Sequence, residues 1–224
     1  MIQPLSRTQI TWRAAQDIPD GSYVNLGIGL PVLVANHLPA DREIILHSEN
    51  GIVGIGPAAP EDAADPDLVD AGGQRVTLRP GAALVDSAAA FGMIVGGNID
   101  ITLLGAFQVA SNGDFANWDS RHPWKGPLVG GAMDLAAGAR EVRVIMQHTT
   151  KDGEPRLVTQ CSYPLTAPGV VKRLYTDLAI IDVTAEGFVA REIAAGLSHE
   201  DLSAKTGAAI AVAADCVTLT APDL

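Results

Sequence analysis

Basic residues, cysteines, aromatics and long apolar runs are all scarce in this chain, and each shortage argues against a class of function. Lysine and arginine number 15 against 26 aspartate and glutamate, a formal net charge of -11 at pH 7. A nucleic-acid backbone or an anionic membrane requires a basic surface, so neither is expected as the main partner. The two cysteines, Cys161 and Cys216, stand far apart and without close neighbours. They offer neither a disulfide framework nor a zinc cluster and suit a reducing cytoplasm. Aromatics make up 4% of a chain that is 47% hydrophobic, a balance that fits helices packed closely on a parallel sheet better than an aromatic-rich sandwich. Met1-Ile2-Gln3-Pro4 shows no basic region leading into an apolar core, and no apolar run reaches the roughly 18 residues of a membrane span. The expectation is a soluble, cytoplasmic α/β protein, long enough at 224 residues to bury a sizeable core.

Several chemical signatures are missing as well. His47-Ser48-Glu49 matches the first half of a zinc-deaminase signature, but no Pro-Cys-x-x-Cys completes it. His37, His122, His148 and His199 are scattered singly, as surface or packing residues would be, and no metal site is expected. There is no Gly-x-Ser-x-Gly elbow, no cysteine in a glycine-rich turn and no phosphate-binding Gly-x-x-x-x-Gly-Lys. Gly27-x-Gly29 hints at a dinucleotide loop, yet the third glycine of that fingerprint falls on Val32. A tight strand-to-helix turn, with its amides and Asn25 facing a crevice, is the more economical reading.

What the chain does contain is strands alternating with helices. Leu5–Ile18 reads as an amphipathic helix capped by Ser6, with Ile10, Ala14 and Ile18 four apart. Tyr23–Leu26, Glu43–His47, Gln74–Leu78, Ile99–Leu104, Glu141–Met146 and Leu178–Val183 read as strands. Further helices are expected after Pro31 through Leu38, over Asp86–Ile94, before Gly138 and from Ser198 to Lys205, the last with Asp201 in the capping position. Pro80-Gly81 reads as a turn and Ser111–Asp114 as a hairpin. The pattern implies a single open, mostly parallel sheet with helices on both faces.

Ligands of such sheets bind beyond the carboxyl ends of the strands. Glu49 occupies that position after Glu43–His47 and is followed by Gly51, Gly54 and Gly56, which would let a ligand approach the backbone. With metal, serine, cysteine and phosphate-loop chemistry lacking, Glu49 is the remaining nucleophile candidate, since a carboxylate needs no general base. Capping a turn or pairing with a surface cation is the competing role. Gly130-Gly131 before a short helix presents backbone amides to a carboxylate or oxyanion, or else forms a surface loop.

Five segments together resemble a known family. Asn25-Leu26-Gly27-Ile28-Gly29 with Pro31, Ser48-Glu49-Asn50-Gly51, Gly96-Gly97-Asn98-Ile99-Asp100, Gly113-Asp114-Phe115-Ala116-Asn117-Trp118 and Gly130-Gly131-Ala132-Met133-Asp134-Leu135 are similar in order and spacing to the β (B) subunit of the 3-oxoacid CoA-transferases. The resemblance runs from about Leu5 to Gly207. It implies a CoA-transferase domain over 1–208, related in fold to sugar-phosphate isomerases, and leaves 209–224 as a tail open to a terminal strand.

The resemblance further implies that Glu49 is the nucleophile of a ping-pong reaction through a glutamyl-CoA thioester, with CoA as substrate and no permanent cofactor. Asn25, Gly131 and Ala132 would line the site, with Gly27, Gly29, Asn50, Gly51 and Gly130 beside them, and an α (A) subunit would complete it in an α2β2-type assembly. Relatives usually carry Asn-Ala-Gly-Lys where this chain has Asp70-Ala71-Gly72-Gly73, so a family lysine is missing. Leu5-Ser6-Arg7-Thr8, Tyr23–Gly29 and Cys161–Thr166 look most like subunits that move CoA from succinyl-CoA to 3-oxoadipate, with acetoacetate-specific relatives as the alternative. An acyl-CoA hydrolase using the same glutamate, and a non-catalytic sensor of small anions on a related fold, are the readings from other classes.

Overall fold

The computed structural model describes residues 2–121, 123–124 and 126–224. It opens with α1 (Arg7–Gln16). The Ser6 hydroxyl accepts from the Gln9 amide while the Gln9 side chain accepts from the Ser6 amide, which satisfies two of the first turn's free donors. Ile10, Ala14 and Ile18 are fully buried. After β1 (Tyr23–Leu26) comes a 3-10 helix over Pro31–His37, not the expected α-helix through Leu38. That segment has no side-chain cap and includes the β-branched Val32 and Val34, which favours a short, tight helix over a regular one.

β2 (Ile45–Ser48), β3 (Ile52–Ala58) and β4 (Val76–Leu84) then form an antiparallel run at one end of the main sheet. Pro80-Gly81 lies inside β4 and is not a turn. β4 is the edge strand, so Pro80 forfeits no sheet partner, and Gly81 takes φ +86° where the β3–β4 register shifts. The remaining elements are α2 (Ser87–Val95), β5 (Ile101–Leu104), β6 (Gln108–Ala110), β7 (Phe115–Ala116), α3 (Ala132–Gly138), β8 (Glu141–Ile145), β9 (Leu157–Val158), β10 (Val171–Tyr175), β11 (Ala179–Thr184), β12 (Gly187–Ala194), α4 (His199–Ala204) and β13 (Ile210–Leu219).

The main sheet has ten strands in the order β13-β12-β11-β10-β8-β5-β1-β2-β3-β4, and β7-β6-β9 form a small second sheet. The centre, from β2 through β1, β5 and β8 to β10, is parallel, and hairpins extend it on both sides. One face packs on α1 and the 31–37 segment through Val24, Leu46, Ile101 and Leu103. The other packs on α2, α3, α4 and the small sheet through Leu104, Val142, Val144 and Leu174. Helices therefore cover both faces, as the sequence implies. No helix among the described residues is long and apolar enough to cross a membrane.

β1 is where the chain reverses direction across the sheet: β2 lies on one side of it and β5 on the other. A crevice opens beyond such a switch point. α2 and α3 form the wall of that crevice, and their approach is set by Gly138, where a Cβ would lie 2.3 Å from the Ile94 carbonyl oxygen. Gly138→Ala is expected to push α3 off α2 and to lower stability by about 3 kcal/mol, read from the midpoint of denaturant unfolding.

Candidate active site

Glu49 is the first residue beyond β2, and its turn is fixed by backbone geometry. The Gly51 amide donates to the Ser48 carbonyl at 3.0 Å and the Val85 amide to the Gly51 carbonyl at 2.9 Å. Gly51 has φ +121°, and a Cβ there would sit 2.1 Å from the Val85 oxygen. Gly54 and Gly56 are crowded in the same way by Ala82 and Thr77 of β4. These three glycines admit the neighbouring strand rather than a ligand, which corrects the expectation from sequence.

The Glu49 carboxylate is held from below by Asn25, fully buried on β1, whose Nδ2 donates to Glu49 Oε2 at 3.0 Å. The same nitrogen faces the His47 carbonyl and His47 Nδ1, each at 3.2 Å. A carboxylate and a carbonyl only accept, so the amide orientation of Asn25 is determined, with its nitrogen toward Glu49 and the His47 carbonyl. Burial pushes the His47 pKa down, while the nearby Glu49 carboxylate and the Ala90 backbone pull it the other way. Thr102 on β5, Asn25 and His47 are register partners across three strands, and each is buried. Thr102 Oγ1, Asn25 Oδ1 and His47 Nε2 have no hydrogen-bond partner among the described residues.

The residues flanking Glu49 serve the rim. The Ser48 hydroxyl accepts from the Ala71 amide at 3.0 Å, and Asn50 Nδ2 donates to the Val69 carbonyl at 2.8 Å. Asp70 accepts from the Gly72 and Gln74 amides, so the 69–74 turn is pinned across the end of β2. Gly73 in that turn takes φ +81°, a conformation that strains a lysine. Opposite, the Gly27 amide donates to the Leu103 carbonyl at 2.8 Å. Gly131 fits under the Phe91 ring, and a Cβ on it would be 3.8 Å from Glu49 Cγ. No side chain caps the first turn of α3, so no side chain takes its leading amides. Asn117 closes the far wall, donating to the Gly105 carbonyl and accepting from Thr166.

The resulting crevice, about 440 Å³, is lined by Glu49 together with Gly27, Gly130, Gly131 and Ala132 of the expected residues. Asn25 lies beneath it; Gly29, Asn50 and Gly51 do not line it. Sequence reasoning missed His47, Phe91, Asn117 and Arg156. Only the His-Ser-Glu run drew attention to His47, for another chemistry; Asn117 falls within the Gly113–Trp118 segment without being singled out, and nothing local marked Phe91 or Arg156. His148 is locked between Thr176 and Thr206 with its pKa pushed down to about 4 by burial, and His199 pairs with the Ile210 carbonyl. His37 is half-buried, and His122 lies outside the described residues.

A carboxylate at the switch point of an open α/β sheet, backed by an amide donor and faced by glycine backbone, defines a site for covalent or electrostatic work on a small acyl group. Residues 7–204 match the coenzyme A transferase family model, and the chain belongs to that family. It is 51% identical over 206 residues to the β (B) subunit of 3-oxoadipate CoA-transferase from Acinetobacter baylyi, covering 92% of this chain and 95% of that one. It is 45% identical to the corresponding β (B) subunit of succinyl-CoA:3-ketoacid coenzyme A transferase from Helicobacter pylori, covering 90% and 97%. Among solved structures, an acyl-CoA transferase of Escherichia coli O157:H7 superposes with a TM-score of 0.75 at 19% identity, covering 96% of this chain and 43% of that longer one.

The Asn25 contact makes a distinct demand. Asn25→Asp places a second carboxylate in a dry position against Glu49 and the His47 carbonyl, and is expected to cost about 3 kcal/mol of stability at pH 8. The deficit should shrink on acidification, as the introduced carboxyl takes up a proton and donates in place of the amide. Thermal melts of both proteins between pH 5 and 8 check this, and a pH-independent deficit would contradict the contact.

Proposed function

We propose that this chain is the β subunit of a 3-oxoacid CoA-transferase that moves CoA from succinyl-CoA to a 3-oxo acid, 3-oxoadipate first among them, with Glu49 as the nucleophile. The carrying observation is the placement of Glu49: a carboxylate lining the crevice with Gly130, Gly131 and Ala132 and oriented by Asn25 at 3.0 Å. The substrate assignment follows the 51% identity to the Acinetobacter baylyi protein.

In this mechanism a Glu49 oxygen attacks the thioester carbonyl, the C–S bond breaks, and an acyl-glutamyl anhydride and CoA thiolate form. The thiolate attacks the glutamyl carbonyl, releasing the first acid and leaving CoA as a thioester on Glu49. The acceptor carboxylate attacks that thioester, a new anhydride forms, and the returning thiolate attacks its acyl carbonyl to give the new acyl-CoA and free Glu49. Protons balance without a general base, because each nucleophile is already an anion and each leaving group departs as one. In this reading Asn25 Nδ2 and the amides at Gly131 and Ala132 stabilise the successive oxyanions. CoA is substrate and transient covalent partner, and no permanent cofactor enters.

The site is also half open. Ile28, Leu128 and Val129 are 64%, 69% and 74% exposed around it, an apolar rim of the kind a partner chain covers. An α subunit supplies that cover and the grip on the CoA body in an α2β2-type assembly. Residues 1–208 are the CoA-transferase domain, with β13 extending its sheet, and the two lone cysteines suit the cytoplasm.

The co-expressed assembly, treated with succinyl-CoA and then hydroxylamine, should lose activity with modification at Glu49, and should keep activity when the donor is omitted. Glu49→Gln should lower turnover at least about 10³-fold with an unchanged melting curve. Donor-independent inactivation, or a fully active Glu49→Gln, would refute the role.

A further inference from the structure

Glu49 and Arg156 are the only charged side chains among the described residues that line the crevice. Arg156 precedes β9, and its backbone is tied on both sides, the amide donating to the His148 carbonyl at 3.1 Å and the carbonyl accepting from the Val109 amide at 3.0 Å. The side chain stands at the wall between the crevice and a neighbouring hollow bordered by Asp152 and Glu154, with Phe107 shared by both. Neither acid pairs with it. Four arginines of the main sheet and α1, by contrast, are matched to acids, Arg13 with Asp17 and Glu192, Arg143 with Glu141, Arg173 with Asp17 and Asp182, and Arg191 with Asp182 and Asp215. The Arg156 Nε is buried with no hydrogen-bond partner among the described residues. Burial disfavours the charged guanidinium, with Tyr163 and Asp177 only near enough to offset part of that cost.

An unpartnered, half-buried guanidinium facing a small crevice calls for a planar anion that the chain itself does not supply. Glycines and alanines at 27, 105, 106 and 132 leave room for an unbranched chain between it and Glu49. We propose that Arg156 receives the distal carboxylate of a dicarboxylic acyl substrate whose other end reacts at Glu49, and so sets the preference for dicarboxylic over monocarboxylic acids. This rests on the reading of Glu49 as the reacting group. Succinate and 3-oxoadipate both carry the second carboxylate; acetoacetate does not. The phosphates of CoA are the other anions of the reaction, but the pantetheine arm carries them well away from the sulfur and hence from this end of the crevice.

The test isolates the enzyme–CoA thioester of the assembled protein and follows its discharge by succinate and by acetoacetate in wild type, Arg156→Met and Arg156→Lys. Discharge by succinate should fall at least 10-fold more than discharge by acetoacetate in Arg156→Met, with Arg156→Lys between. Equal losses for both acids, no loss, or a loss confined to the affinity for free CoA would overturn the assignment. If wild type forms no thioester, the Glu49 reading fails separately. Calorimetric binding of succinate against butanoate to the assembly then decides, with selective loss of succinate binding in Arg156→Met supporting the site and an unchanged ratio refuting it.

Discussion

The hydrogen bond from Asn25 to Glu49 depends on the alignment of three parallel strands, and most of the molecule is arranged to maintain it. β1 pairs with β2 and β5 so that Thr102, Asn25 and His47 lie side by side on one face of the sheet. Thr102 falls on a strand that is otherwise aliphatic in sequence, and each of the three leaves a polar atom unsatisfied among the described residues. Such a row costs free energy on folding. It holds because Val24, Leu46, Ile101 and Leu103 on the reverse face pack into the α1 layer. A slip of one residue would send the polar row into that apolar core, so the same packing that stabilises the sheet also specifies the register that presents Glu49.

Glycine does the complementary work on the backbone. Gly51 admits the Val85 carbonyl, Gly131 admits the Phe91 ring, and Gly138 admits the end of α2. Each removes a side chain where two segments must touch, and together they bring the α3 wall within van der Waals reach of Glu49. The result is a rigid floor and one rigid wall, while Ile28, Leu128 and Val129 remain exposed on the open side. Half of the pocket is preorganised, and a partner chain is needed to exclude water from the other half.

The parts legible in sequence are those governed by local chemistry. The Ser6 and Ser198 caps are reciprocal side-chain to backbone contacts within a single turn. The aliphatic run of β5 is buried throughout, and a continuous apolar run is what a doubly covered strand requires. Glu49 stands out because it ends such a strand. β3 is hidden by its own glycines, which look like a loop until β4 is known to press against them. β4 is hidden by Pro80-Gly81, tolerable only because the strand is an edge, and edge status is a property of the whole sheet. Arg156 has no signal at all: its significance is the lack of a partner, and partners are assigned only when distant segments meet. His47 is visible as a residue but not as the register neighbour whose carbonyl helps orient Asn25.

A chain of net charge -11 that works on CoA esters and free acids, all of them anions, has an electrostatic difficulty to resolve. Over distances beyond roughly 8 Å, physiological salt screens the overall repulsion, so approach is not prevented; the decision falls within the crevice. There Glu49 adds another negative charge, and among the described residues lining the crevice the compensation comes from the Asn25 amide beneath it, backbone amides near Gly131 and the Arg156 guanidinium. Those groups suffice to orient a small carboxylate or stabilise an oxyanion, because their donors are fixed and partly dry. They are too few to hold a nucleotide carrying several phosphates. With the roles proposed for Glu49 and Arg156, a division of labour between two chains follows: this one would supply the reacting carboxylate and the recognition of the acyl end, and the polyanionic end of the substrate would be gripped by the chain that covers the open rim.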